Sequence, residues 1–261
     1  MVSLRLECGA EEKDEVIAAL WEEGTQGVTE VDLPANRTEL RAFFDAPFDA
    51  AAFAPFGPRW EEEPDVDWAA ASRAAWPARE VGTRWFVVPP WNEDPVPAGR
   101  VRLVINPGVG FGTGADLTTQ LCLEAIEREL RPEDSVFDFG TGSGILALAA
   151  YALGARAVIA ADIDWDAVLA AREDLPEGVG LFVGSIRSVR DGSVDLLLAN
   201  LNAETIANHA ADMRRVLRPG GRVIISGVPP RHGERVVKAL TANQMPPREV
   251  YEQDIWLRIV C

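Results

Sequence analysis

The chain has 261 residues, 48% hydrophobic and 25% charged, a composition ordinary for a soluble globular protein with one large or two modest cores. Asp and Glu number 41 against 25 Lys and Arg, and the formal net charge of −16 disfavours direct contact with a nucleic-acid backbone and favours a basic partner. No apolar run approaches the roughly 20 residues that cross a bilayer, and Met1 to Glu15 is acidic with no signal-peptide core, so no membrane partner and a cytoplasmic location are expected.

Residues 1–63 predict a small α+β domain. Leu4, Leu6 and Cys8 alternate as in a half-buried strand, Glu11 to Glu23 carries Val16, Ile17, Leu20 and Trp21 on one helical face, and Val28–Leu33 and Thr38–Phe44 are strand-like around a Pro34-Ala-Asn36 turn. That β-α-β-β order predicts a ferredoxin-like layer, irregular in its second half. Residues 64–80 predict a linker, with a helix over Asp65–Trp76 closed by Pro77. Trp85 and Trp91, in proline-rich surroundings, are expected in the core.

Residues 81–261 predict a second, larger domain. Arg84–Pro90 and Val101–Asn106 are strand-like. A glycine run, Asn106 to Gly114, cannot make a stable helix or strand interior, and it leads to Thr118-Thr119, good caps for a helix over Gln120–Leu130. It predicts a loop that folds over a ligand, with Phe111 offering a ring face and Thr119 a hydroxyl; a structural Ω-loop is the competing reading. Strands at Val136–Phe139, Ala157–Ala161, Val179–Val183, Val194–Ala199 and Arg222–Ser226 then alternate with helices at Ser143–Leu153, Asp164–Asp174, Ala203–Leu217 and Gly233–Asn243. Such alternation predicts a parallel, doubly wound, Rossmann-like sheet, and Arg248–Gln253 with Ile255–Val260 predicts a closing C-terminal antiparallel hairpin.

The chemistry concentrates where the first of these strands meets its helix. Gly140, Gly142 and Gly144 form G-x-G-x-G, not the G-x-G-x-x-G of a dinucleotide site. Asp138, two residues earlier, would repel a pyrophosphate but suits a cationic amino group such as that of S-adenosylmethionine. Asp162, ending the next strand, is placed to accept both hydroxyls of a ribose. A glycine trio alone is equally a tight turn in any doubly wound domain; the acids before and after it favour a cofactor site. Asp138-Phe-Gly140 also spells a kinase tripeptide, but the H-R-D loop and V-A-I-K strand are missing.

Asn200 ends the fourth strand, where an amide oxygen can accept from an amine and orient its lone pair; capping the next helix is its alternative role, and Asn202 is the better cap candidate. Ser185 is a candidate neighbour of adenine, in a Gly184-Ser185 pair that is also an ordinary turn. Cys8, Cys122 and Cys261 are odd in number, far apart and without ligand spacing, so reduced thiols and no metal are expected. His209 and His232 are isolated, one expected on the surface of a helix and one in a turn.

Together, Pro107-Gly-x-Gly-Phe-Gly-Thr-Gly-x-x-x-Thr-Thr119, Asp138-Phe-Gly-Thr-Gly-Ser-Gly144, Asp162-Ile-Asp164 and Ala199-Asn-Leu201, with Asp67-Trp68 and Phe86-Val-Val-Pro-Pro-Trp91 upstream, resemble the bacterial ribosomal protein L11 methyltransferases over nearly the whole chain. The resemblance implies methyl transfer from S-adenosylmethionine to lysine side chains and the N-terminal amine of ribosomal protein L11. It also implies an N-terminal domain that grips that basic substrate, and cofactor contacts at Thr119, Gly140, Asp162 and Asn200, with Asn200 near the target amine. A monomer is the expected state. Ala115-Asp116-Leu117, where the family usually has a histidine, and Trp165, where proline is common, depart from the pattern. They leave open a diverged N-methyltransferase acting on another protein or a small-molecule amine.

Overall fold

The computed structural model describes residues 2–34, 36–62, 76–107 and 112–261. The chain divides into two compact units, Met1–Ser72 and Arg73–Cys261.

The first unit contains β1 (Val2–Gly9), α1 (Lys13–Glu22), β2 (Gly27–Leu33), β3 (Arg37–Phe44) and β4 (Arg59–Glu62). They form an antiparallel sheet in the order β2-β3-β1-β4, the split arrangement expected of a ferredoxin-like layer. The second crossover is reduced to a 3-10 turn over Ala50–Phe56. Pro55 lies inside that turn, and Gly57, at φ 63°, closes it. Strand alternation sorts the residues. Leu4, Leu6 and Cys8 of β1 and Leu40, Ala42 and Phe44 of β3 pack with Val16 and Leu20 of α1 and with Phe53. The odd-numbered positions carry cross-strand ion pairs, Arg5–Glu39 at 3.5 Å, Arg5–Glu61 at 2.9 Å and Arg37–Glu7 at 3.2 Å.

The second unit opens with β5 (Arg79–Val81), β6 (Trp85–Val88) and β7 (Val101–Val104), a three-stranded sheet. There follow α2 (Leu117–Glu129), β8 (Ser135–Phe139), α3 (Ile145–Ala152), β9 (Ala157–Asp162), α4 (Trp165–Asp174), β10 (Val179–Val183), β11 (Val194–Asn200), α5 (Ala203–Val216), β12 (Leu217–Val228), α6 (Pro230–Ala242), β13 (Glu249–Gln253) and β14 (Trp256–Val260). The seven-stranded sheet runs β10-β9-β8-β11-β12-β14-β13. Its first five strands are parallel, and β14 and β13 close it antiparallel, so the doubly wound sheet with a C-terminal hairpin is the observed fold. Both faces are covered, and the strands read as continuous apolar runs for that reason. Along β11, Leu196 and Leu198 enter the core shared with α2 and α3, while Leu197 and Ala199 enter the core shared with α5 and α6. The strand order reverses between β8 and β11, which opens a crevice at their carboxyl ends. Among the described residues no helix is long and apolar enough to cross a membrane.

Several expectations are corrected. Arg79 and Glu80, read as the end of the linker, form β5 with Val81; the helix expected over 65–76, with Trp68, falls outside the described residues except at Trp76. Trp85 is fully buried and donates from Nε1 to the Leu123 carbonyl at 2.9 Å, but Trp91 is 37% exposed. α2 begins at Leu117, not Gln120. Its cap is Asp116, whose extended backbone (ψ 143°) turns the carboxylate onto Thr119 N, so Thr118 and Thr119 lie in the first turn. β12 starts at Leu217, paired with Val194, where α5 was expected to end. His232 lies in α6 rather than a turn, and His209 is partly buried edge-on against Phe139.

Glu127 of α2 joins the β5–β6 turn to the larger sheet's helical layer. Its carboxylate accepts from Thr83 N at 3.1 Å, Thr83 Oγ1 at 2.9 Å and Arg84 N at 2.9 Å. Glu127→Ala is expected to cost about 1–2 kcal/mol, read as a lower urea midpoint at unchanged slope, because charge-assisted bonds to two otherwise unpaired amides are lost.

Candidate active site

The crevice has a volume of about 500 Å3 and is lined by Gly112, Asp116 to Thr119, Gly140 to Gly142 with Ile145 and Leu146, Asp162, Asn200 to Asn202, Gly227 and Trp256. That size suits a nucleoside-bearing ligand.

The floor is the β8–α3 turn. Gly140 has φ +75°, and a Cβ there would lie 2.4 Å from Leu201 Cδ2, so the backbone approaches its neighbour as only glycine permits. Gly227 is the matching constraint from β12: at φ +79° its Cβ would meet the Leu201 carbonyl oxygen at 2.5 Å. α3 starts at Gly144, which has no side chain to cap it. The cap comes from the preceding strand. Asp138 Oδ2 accepts from Ala147 N at 3.2 Å, the third helical amide, and from Thr141 Oγ1 at 2.6 Å. Asp138 is fully buried, and among the described residues its Oδ1 has no hydrogen-bond partner. Burial raises its pKa from the ordinary 3.8 to about 6, against the lowering effect of the two hydrogen bonds.

The first wall is the end of β9. Asp162 Oδ2 accepts from Gly142 N at 3.0 Å and Oδ1 from Asp164 N at 3.1 Å, which fixes the carboxylate beside the glycine turn. The opposite wall joins residues 81 positions apart: Asn200 Nδ2 donates to Thr119 Oγ1 at 3.0 Å. With its nitrogen so engaged, Asn200 keeps its side-chain oxygen for another donor. Asn202 caps α5 through Thr205 N at 2.9 Å, as its position suggested. On either side of residues 108–111, Asn106 N donates to Asp174 Oδ2 at 2.7 Å and Ser143 Oγ donates to the Gly112 carbonyl at 2.7 Å.

The family model described as Ribosomal protein L11 methyltransferase (PrmA) matches residues 39–261. A relative from Thermus thermophilus named Ribosomal protein L11 methyltransferase is 36% identical over 259 residues, 97% of this chain and 96% of its own. The chain belongs to the ribosomal protein L11 methyltransferase family. A second relative of that name, from Symbiobacterium thermophilum, is 38% identical over 231 residues, covering 87% of this chain and 74% of its own. The solved ribosomal protein L11 methylase of Lactobacillus delbrueckii subsp. bulgaricus superposes with a TM-score of 0.66 at 31% identity, covering 70% of this chain and 96% of that one.

In this member of the family Thr119, Gly140, Gly142, Asp162 and Asn200 converge on one crevice, as their sequence positions suggested. Two other candidates do not line it. Asp138 lies beneath the floor, because its carboxylate is drawn into the first turn of α3. Ser185 caps a short 3-10 turn over Ile186–Ser188 by accepting from Arg187 N at 3.4 Å. Phe111 falls outside the described residues. Sequence reading missed Asp116 as a lining residue, because its helix was started three residues late. It also missed Leu201, Gly227 and Trp256, which only the packing of β12 and the final hairpin brings there.

Because its pKa is raised, Asp138 holds its proton more tightly folded than unfolded, and its contribution to stability falls as pH rises from about 4 through about 6. The distance from 3.8 to about 6 corresponds to about 3 kcal/mol. Asp138→Asn keeps an acceptor and removes the charge. It is expected to be more stable than the parent at pH 8 by up to that amount, with roughly half the gap closed at pH 5. Parallel urea stabilities at the two pH values would refute the buried-charge account.

Proposed function

We propose that this chain transfers methyl groups from S-adenosylmethionine to amino groups of ribosomal protein L11, on lysine side chains, the N-terminal amine or both. The observation that carries the reading is the Asn200–Thr119 pair, facing Asp162 across the glycine turn in one crevice. The charged groups lining that crevice, among the described residues, are Asp116 and Asp162, with Asp138 beneath. A pocket walled by carboxylates repels a pyrophosphate and suits a donor that is cationic at sulfur and at its amino group. The unpartnered Oδ1 of Asp138 adds negative potential under the floor. The residues present therefore fit S-adenosylmethionine, which when bound supplies an electrophilic methyl group on a sulfonium.

The chain's own residues bind and orient. Asp162 spends one lone pair of each oxygen on a backbone amide and keeps the others for the two ribose hydroxyls. Gly140 and Gly142 let the backbone approach the ligand, and Thr119 adds a hydroxyl. Ser185, at the carboxyl end of β10 beside the end of β9, is proposed as a neighbour of adenine, supported by the Gly184 N to Asp162 carbonyl bond of 2.8 Å. Phe111 is proposed to cover the donor. Asn200 accepts an N–H of the substrate amine through Oδ1, which holds the nitrogen lone pair in a fixed direction, and the displaced proton leaves to water. The unit containing β1 to β4 is the proposed substrate-recognition domain, in line with a net charge of −16 facing a basic protein. A ribosomal-protein substrate makes the cytoplasm the proposed place of action.

Purified L11 incubated with radiolabelled S-adenosylmethionine and this chain is expected to take up label; label confined to other proteins would redirect the substrate. Asp162→Ala is expected to abolish saturable cofactor binding in calorimetry. Asn200→Ala should retain that binding and lower turnover on the order of 100-fold, the scale of one positioned proton acceptor. Unchanged turnover would remove Asn200 from the chemistry.

A further inference from the structure

Asp116 does two things, and capping explains only one of them. Its Oδ1 accepts from Thr119 N at 2.9 Å and from Thr118 Oγ1 at 2.7 Å, which closes the first turn of α2. Its Oδ2 accepts nothing among the described residues, and the half-buried side chain lines the crevice. A neutral Asn or Ser caps a helix as well as Asp, so the cap leaves the negative charge without a task beyond a modest helix-dipole term. The position of that charge supplies one. Asp116 holds Thr119 by its backbone amide, and Thr119 holds Asn200 by its hydroxyl. The carboxylate is thus tied, through one residue, to the amide assigned to the substrate nitrogen. The other lining carboxylate, Asp162 on β9, has both oxygens engaged by backbone amides and is assigned to the ribose. Asp138, from β8, is sealed beneath the floor, and no described Lys or Arg lines the crevice.

We propose that Asp116 is a specificity-determining residue that selects a cationic amine as the methyl acceptor. The inference rests on the methyltransferase reading above. During transfer the amine lone pair forms the N–C bond, the C–S bond breaks with its electron pair remaining on sulfur, and positive charge moves from sulfur to nitrogen. The ammonium's spare proton has already gone to water. A carboxylate on the acceptor side favours the arriving ammonium and complements the charge that reappears on nitrogen. It disfavours acceptors that are neutral or anionic, because they leave the half-buried charge uncompensated.

The test separates charge from capping. Asp116→Asn keeps the cap and loses the charge; Asp116→Ala loses both. Each variant and the parent are assayed with S-adenosylmethionine and purified L11. In parallel, L11 binding in the presence of S-adenosylhomocysteine is followed by calorimetry, with thermal midpoints and affinity for S-adenosylhomocysteine as controls. Asp116→Asn is expected to match the parent in thermal midpoint, and its L11 binding is read at saturating S-adenosylhomocysteine. It should weaken L11 binding and raise KM about tenfold, the lower end for a charge-assisted contact at a half-exposed site. The deficit should shrink at high salt, and the acidic limb of kcat should move to lower pH, because a bound amine without its counter-charge loses its proton more readily. If Asp116→Asn matches the parent in L11 binding, KM and pH profile while Asp116→Ala loses only stability, the residue is a cap alone and the proposal fails. A parent that binds S-adenosylhomocysteine but neither binds nor labels L11 would overturn the substrate assignment and Asp116's role with it.

Discussion

Asp138 sits where the second unit's requirements meet. The strand that carries it must turn sharply into a helix, and the turn must present backbone rather than side chains to the crevice. Gly144 therefore precedes α3 as a cap without a side chain. The third amide of that helix would be left unpaired in a dry environment, at a cost comparable to a lost hydrogen bond. Asp138 supplies the acceptor from within the sheet and draws the Thr141 hydroxyl to the same oxygen. The arrangement leaves a carboxylate fully buried, with one oxygen unpartnered among the described residues, and burial raises its pKa. Stability is given up so that the floor of the crevice stays backbone-lined and electronegative.

The walls follow from that floor. Once the turn is set, Gly142 N reaches Asp162 and fixes the carboxylate at the end of β9. Leu201 fills the space that Gly140 and Gly227 leave by lacking a Cβ, so the segment after β11 is held against the turn, and Asn200 is held with it. Thr119 arrives from the opposite side at the start of α2 and takes the Asn200 amide nitrogen. That bond occupies the amide nitrogen and leaves the side-chain oxygen as an acceptor. Family membership and this local chemistry point to the same reaction by independent routes.

The first unit is organised by a different rule. Its sheet has one apolar face, covered by α1, and one face laced with alternating Arg and Glu. Exposed ion pairs of this kind add little stability. Their regular spacing instead gives the sheet surface a mixed, patterned charge, and sheet edges and faces of mixed sign resist self-association.

The order of strands and helices was written in the sequence, because burial on both faces imposes continuous apolar runs and exposure on one face imposes alternation. The turn glycines and the acids at Asp138 and Asp162 were equally legible, since a backbone-lined floor tolerates few other residues. The sequence alone also placed Asn200 at a strand's carboxyl end, where the crevice lies, and pointed to the family through motifs spread along nearly the whole chain. Tertiary structure decided what spacing cannot encode. It sank Asp138 below the crevice, because the first turn of α3 needed an acceptor, and it turned Ser185 into a cap. It moved the start of α2 to Leu117, capped by Asp116, because an extended backbone there lets a carboxylate reach the amide three residues on. It brought Leu201, Gly227 and Trp256 to the site, because the neighbours of a close-packed turn come from whichever strands the sheet order sets beside it, and that order is a property of the whole fold.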